Sequence, residues 1–265
     1  MGFFSIFNKD SILYFPGCMT YFKHKKIFEL YKKVFSKLEI NFITFDSYIS
    51  SGLEAWELGY DSLARDLARK NLEVFSKNGI KKLITNSPGD YMLFSQKYSN
   101  MIPNWKIKTL NLWELILERL RKKPGLIKNF KNEIVTYHDC CYLGRYSGIY
   151  NEPREILKLL GYKIREMDNS KENSFCCGSC GGLTFSNPSL ANKIAKERIL
   201  QAKRIGIKKI IVSSMENYDL LRKNIGDTNI EIIELSQILA DSLGIKSIEL
   251  EEKIEGEEVL LDLEN

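Results

Sequence analysis

Short apolar runs alternate along this chain with longer stretches whose apolar residues share one helical face, and the alternation is played through twice. The runs Ile12–Cys18 (ILYFPGC) and Val135–Cys141 (VTYHDCC) each read as a strand that ends in a cysteine. Farther on, Gly79–Ser87 (GIKKLITNS) and Gly206–Ser214 (GIKKIIVSS) each read as a glycine turn followed by a buried strand. The halves are offset by 123 residues at the cysteines and by 127 at the later strands, a drift that small loop differences account for. The pattern predicts a duplicated α/β unit with its join near residues 122–132, where Pro124 and Gly125 break a helix.

Between the strands, residues 20–38 read as a helix with Phe22, Ile27, Leu30, Tyr31, Val34 and Leu38 on its apolar face. A strand is expected over 40–45 and a second amphipathic helix over 61–78. In the second half, Pro153 suits the first turn of a helix over 154–160. Pro188 does the same for 189–205, with Asn187 as its cap. The expected fold class is α/β: two pseudo-repeated α/β units with mainly parallel sheets flanked by helices. The first unit is placed at residues 11–122, the second at 131–245, and an acidic tail at 246–265. In such folds the loops leaving the carboxyl ends of strands build the site, and Cys18, Cys141, Ser87 and Ser214 all follow predicted strands.

With 44% hydrophobic residues in 265, the chain has material for one large core or two modest ones. No apolar run approaches the ~18 residues of a membrane span. Met1–Asp10 is too short and too poor in positive charge for a signal peptide, so a cytoplasmic, reducing location is expected, with peripheral membrane association left open. Glu249–Asn265 holds eight acidic residues against one lysine, which leaves 38 basic and 26 acidic residues in the body. The lysines are dispersed rather than interleaved with aromatics, which argues against nucleic acid as a partner. Trp56, Trp105 and Trp113 read as core or interface residues.

The cysteines change the picture. Cys18 stands alone, while Cys140, Cys141, Cys176, Cys177 and Cys180 fall within 41 residues. In a reducing compartment such grouping favours metal binding or redox chemistry over structural disulfides. Cys141, Cys176, Cys177 and Cys180 offer four thiolates, enough for a [4Fe–4S] cluster or a tetrahedral zinc; Cys140 and Cys18 are weaker candidates. Cys177-Gly-Ser-Cys180 is also a Cys-x-x-Cys, able to cycle as a disulfide. Glycines 178, 181 and 182 allow the backbone to wrap closely and aim amides at sulfur. His138 and Asp139 read as turn-fixing residues that could also donate a proton or hydrogen-bond a sulfur, and Arg145 and Arg154 as surface or helix-flanking residues or an anion clamp.

Tyr137-His-Asp-Cys-Cys-Tyr-Leu-Gly-Arg145, Gly148-Ile-Tyr-Asn-Glu-Pro-Arg154 and Phe175-Cys-Cys-Gly-Ser-Cys-Gly-Gly182 together resemble the cysteine-rich CCG domain of heterodisulfide reductases, in their B-type and D-type components. The same domain occurs in the iron–sulfur subunits of glycolate oxidase and anaerobic glycerol-3-phosphate dehydrogenase. The likeness covers residues 12–245 and includes the repeat. It implies an oxidoreductase subunit that transfers electrons or reduces a disulfide, supplied by a flavoprotein or ferredoxin-like partner. In that family each repeat carries a cysteine, a Cys-Cys-Gly and a closing Cys-x-x-Cys, which together hold a non-cubane four-iron cluster. Here Cys141 and Cys176-Cys177-Gly178 match, but the closing pair falls on Ser214-Met-Glu-Asn217. In the first repeat only Cys18 matches; the other positions read Ser50-Ser51-Gly52 and Ser87-Pro-Gly-Asp90. One centre is therefore expected, in the second repeat. A zinc-binding or metal-free scaffold subunit is the alternative.

Overall fold

A computed structural model describes residues 12–246; the Met1–Asp10 segment and the acidic tail beyond Lys246 lie outside the described residues. The first half runs β1 (Ile12–Phe15), α1 (Lys25–Lys37), β2 (Phe42–Ile43), α2 (Leu53–Glu57), α3 (Asp61–Lys77), β3 (Lys82–Thr85), α4 (Pro88–Met92), α5 (Tyr98–Met101), β4 (Lys108–Thr109) and α6 (Leu112–Lys122). The second runs β5 (Ile134–Tyr137), α7 (Asn151–Leu159), β6 (Lys163–Ile164), α8 (Leu183–Ser186), α9 (Pro188–Arg204), β7 (Lys209–Val212), α10 (Met215–Lys223), β8 (Glu231–Glu234) and α11 (Leu235–Ser242). Each half forms a four-stranded parallel sheet, ordered β2-β1-β3-β4 and β6-β5-β7-β8. The α/β class and the two repeated units expected from the hydrophobic pattern are what the structure contains.

The repeat holds at the level of single hydrogen bonds. Tyr14 pairs with Ile84 and Tyr137 with Ile211, which keeps offsets of 123 and 127 between the halves. The Tyr14 hydroxyl donates to Asn86 Oδ1 at 2.9 Å, and the Tyr137 hydroxyl meets Ser213 Oγ at 2.7 Å. Both central strands are buried on both faces, as parallel strands under helices must be.

Two helix pairs join the halves. α1 packs against α11, and α6 packs against α7, so the last helix of each half covers the first helix of the other. On α1 the buried face is Ile27, Leu30, Tyr31, Val34 and Phe35, at the spacing of one helical face. One apolar core runs through both halves, and a second, built on Leu13, Phe15, Phe75, Leu83, Phe94 and Tyr98, backs the first sheet.

Three expected elements differ. Residues 20–38 are not one helix: Met19–Lys23 forms a wide π-type turn, His24 breaks the path at φ −111° and ψ 53°, and α1 begins at Lys25. The turn seats Thr20 inside, where its hydroxyl accepts from Asn86 Nδ2 at 2.8 Å, and leaves Phe22 57% exposed instead of on the apolar face. The strand expected over 40–45 pairs only at Phe42 and Ile43. α7 starts at Asn151, so Pro153 is its third residue, still within the turn whose amides have no intrahelical acceptor.

Candidate metal centre

The second-half site lies where β5 and β7 end, at the edge that a parallel sheet reserves for its functional loops. After β5 the chain passes His138 and Asp139 and delivers Cys140 and Cys141. The loop before α8 brings Cys176, Cys177 and Cys180. Gly178, at φ 89°, lets this loop lie flat on α9, where a Cβ would sit 3.0 Å from Ala191 O and 3.2 Å from its Cα. The matching Gly52, at φ 84°, rests on Ala64 and Leu67 of α3 in the same way.

The Sγ atoms of Cys140, Cys141 and Cys180 all lie within 4.8 Å of one another. Cys176 joins this trio through Cys141: its thiol donates toward that sulfur, and the shared proton raises its pKa. The Gly178 amide donates to Cys176 Sγ at 3.3 Å. Cys141 and Cys180 turn their protons toward Cys140, which pulls the Cys140 thiol below its ordinary range. Cys180 shifts upward for the complementary reason.

Cys177 is buried and lies outside the trio. Its sulfur accepts from Asn217 Nδ2 at 3.1 Å and donates to Ser179 Oγ at 3.4 Å; burial pushes its thiol up to about 12. Of the residues the sequence favoured, the structure gathers Cys141, Cys180 and Cys176 and sets Cys177 beside them. It also brings in Cys140, which sequence spacing ranked low.

The surrounding polar residues act on the loops. His138 and Asp139 do not reach a sulfur; His138 Nδ1 accepts from Arg198 at 3.1 Å, and Asp139 accepts two bonds from Arg154, at 2.6 and 2.8 Å. Arg154 is therefore neither surface residue nor anion clamp: it is 4% exposed, and Glu166 and the Tyr150 carbonyl take its remaining donors. Arg145 spans to Ser174 O at 2.6 Å, fastening the two cysteine loops together. Glu57 of the first half accepts from the Tyr142 hydroxyl and, at 2.9 Å, from the Gly181 amide. Glu57, Arg198 and Asn217 escaped the sequence reading. The last two were detectable by superposing the halves.

The first-half counterpart has a different chemistry. Cys18 is half-buried at the end of β1; burial, then the charges of Glu54, Asp90 and Glu216, push its thiol up to about 11. Ser51 donates 2.5 Å to Asp90 Oδ1, a position that Cys177 and Asn217 occupy in the second half. Asp90 is 3% exposed, and burial pushes its carboxyl up to about 8. Ser87 and Ser214 cap α4 and α10 alike, each accepting the backbone amide at the fourth position of its motif, Asp90 or Asn217. Among the described residues, the group of three or more metal-type ligands is the second-half trio.

Comparison with known proteins follows the same division. The family model described as a cysteine-rich domain, CCG, matches residues 12–94 and again 135–216. A Bacillus subtilis protein named "Probable iron-sulfur-binding oxidoreductase FadF" is 31% identical over 211 residues, 77% of this chain and 29% of that protein. The D-type component of the dihydromethanophenazine:CoB–CoM heterodisulfide reductase of Methanosarcina barkeri is 27% identical over 258 residues, 91% of this chain and 61% of that one. The EtfAB:quinone oxidoreductase of Syntrophomonas wolfei is 34% identical over 176 residues, 64% of this chain and 24% of that one. The chain therefore spans 24–61% of the length of these relatives.

Proposed function

The chain belongs to the cysteine-rich CCG domain family, and on that premise we propose that it is an iron–sulfur redox subunit that passes electrons to or from a partner. The observation that carries this reading is the convergence of Cys140, Cys141 and Cys180, with Cys176 and Cys177 on the adjoining loop. The donor set is all sulfur, which suits iron–sulfur clusters and zinc and disfavours hard cations. Four thiolates drawn from these five would hold an ordinary [4Fe–4S] cluster; Cys141, Cys176, Cys177 and Cys180 are the assignment favoured by the family pattern. When bound, such a cluster stores and releases single electrons. The protein's own residues fix the sulfurs: Gly178 N and Asn217 Nδ2 donate to them, and Arg145 and Arg198 hold the loops.

A second cluster lacks a thiolate set, since Cys18 and one of the five grouped cysteines are all that remain of the six. Electrons must then arrive from another polypeptide or domain. The names of the relatives support a flavoprotein, a quinone or a disulfide-reducing complex as the neighbour. No helix among the described residues is long and apolar enough to cross a membrane.

Anaerobic purification with iron, sulfide and zinc analysis, followed by reconstitution and paramagnetic resonance, tests the reading. About four irons and four sulfides per chain, with a signal that appears on one-electron reduction, is the expected result. Stoichiometric zinc with no iron uptake would replace it with a structural centre and a scaffold role.

A further inference from the structure

Arg198 and Asn217 stand in register with Asn71 and Asp90, at the 127-residue spacing that also relates α9 to α3 and β7 to β3. Arg198 is 0% exposed. Its Nε donates to His138 Nδ1 at 3.1 Å, one Nη to Asn169 O at 2.8 Å and Gln201 Oε1 at 2.7 Å, and the other to Ser174 Oγ at 3.4 Å. None of these partners is a carboxylate. The guanidinium instead touches both cysteine loops, two residues before Cys140 and two before Cys176. The first half has no such cation: Asn71, also 0% exposed, donates to Ser50 O, Leu67 O and the Tyr98 hydroxyl.

The second exchange runs the same way. The first half buries the carboxyl of Asp90, whereas the second places the Asn217 amide there, with its N–H on Cys177 Sγ. At two matched interior positions, the half with the thiols carries a guanidinium in place of an amide and an amide in place of an ionisable carboxyl. Asp139 is already engaged by Arg154, whose other carboxylate partner, Glu166, reaches toward solvent, and Glu57 is held by the Tyr142 hydroxyl and the Gly181 amide. A metal centre bound by four thiolates is a net anion in a low-dielectric pocket, and it becomes more negative on reduction.

We propose that Arg198, aided by the Asn217 amide, is the counter-charge of the cysteine centre: it offsets the charge of metal-bound thiolates, ties both cysteine loops to α9 and raises the centre's reduction potential. This rests on the reading of the site as a metal–thiolate centre. Arg198 is a positioning residue, acting through the sulfurs and touching no substrate.

The test compares full-length wild type with Arg198→Gln, Arg198→Lys and Asn217→Asp after anaerobic reconstitution, in a redox titration followed by paramagnetic resonance. Arg198→Gln is expected to lower the midpoint by at least about 59 mV, a tenfold change in a one-electron equilibrium. Asn217→Asp should move it in the same direction, and Arg198→Lys, which keeps the charge, should hold most of the wild-type value. Cobalt(II) affinity, read from thiolate charge-transfer absorption, is measured in parallel; Arg198→Gln should weaken it about tenfold and Arg198→Lys by less. Full iron content with an unchanged midpoint in Arg198→Gln overturns the proposal. So does an equal loss for Lys and Gln, which would mark a packing role. If wild type takes up cobalt but no iron, the redox reading fails and cobalt affinity alone decides the counter-charge. Binding of neither metal overturns both.

Discussion

Where β1 and β3 end, the first half closes its loops with Ser51, Ser87 and Asp90; where β5 and β7 end, the second half uses Cys177, Ser214 and Asn217 on a matching backbone. The glycine contacts on α3 and α9, the two capping serines and the tyrosine bonds behind the sheets are common to both. What differs is the chemistry at the loop tips and the charge buried behind them. Scaffold and ligand set are therefore separable in this family. The first half has the same cradle without the sulfurs, because Gly52, Ser87 and Tyr14 hold the fold and do not depend on what the loops bind.

The sharpest way to break that contrast is to remove one sulfur from each half. Cys180→Ser takes away a member of the trio and should reduce bound metal to background, a loss beyond the roughly 10–100-fold that outer contacts alone produce. Cys18→Ser should leave the metal stoichiometry unchanged by elemental analysis. Full metal in Cys180→Ser would transfer the ligand role to Cys140, the remaining thiol of the trio.

Next in size is the buried Arg154–Asp139 ion pair of the second half. Arg154→Met strands Asp139, 5% exposed, without its cation and should cost about 3–5 kcal/mol in urea unfolding. Tyr31 is its counterpart on α1, donating 2.6 Å to Glu234 Oε1. Glu234 also accepts from the Ser236 amide and hydroxyl, so Tyr31→Phe should cost only about 1 kcal/mol. Equal losses would mean that the two matched positions contribute alike.

Between these lies a pH effect that should belong to the first half. Burial raises the Asp90 carboxyl from its ordinary value to about 8, so the folded state holds a proton that the unfolded chain has released. The folded state then binds more protons than the unfolded one between about pH 4 and pH 8, and stability falls as pH rises through that window. The contribution is intact below the unfolded value and lost by the folded one, at up to about 1.4 kcal/mol per pH unit. Asp90→Asn should flatten this slope, read as urea midpoints at pH 5 and pH 7.5. An unchanged slope would place the buried proton elsewhere, on Glu54 or Glu216.

Much of this was legible before the fold was seen, and the residues say why. The 127-residue echo fixed both later strands, and Asn187-Pro188 marked the start of α9, where the Asn187 side chain accepts the Leu190 amide at 3.0 Å. Apolar periodicity is local, so it survives translation into structure. It failed over residues 20–38 because a long-range bond, Asn86 to Thr20, outweighs helical continuity. Cys140 ranked low because spacing counts residues and not directions: its register partner in the first half is Gly17, whose Cβ would strike Ser87 Cβ at 2.7 Å. The burial of Arg154 and Arg198 is not legible in the sequence, since nothing nearby in the chain reveals Asp139 or the loop atoms that bury them.

The crossed packing of α1 on α11 and α6 on α7 has the form of an isologous interface, in which each partner lends the other the same surface. In a symmetric pair of separate subunits, every substitution appears twice. Fusion into one chain lifts that constraint, so a guanidinium can enter behind one loop while its twin position stays an amide. The molecule is in this sense a dimer freed from symmetry, with one half specialised for holding charge and the other retained as its fitted counterpart.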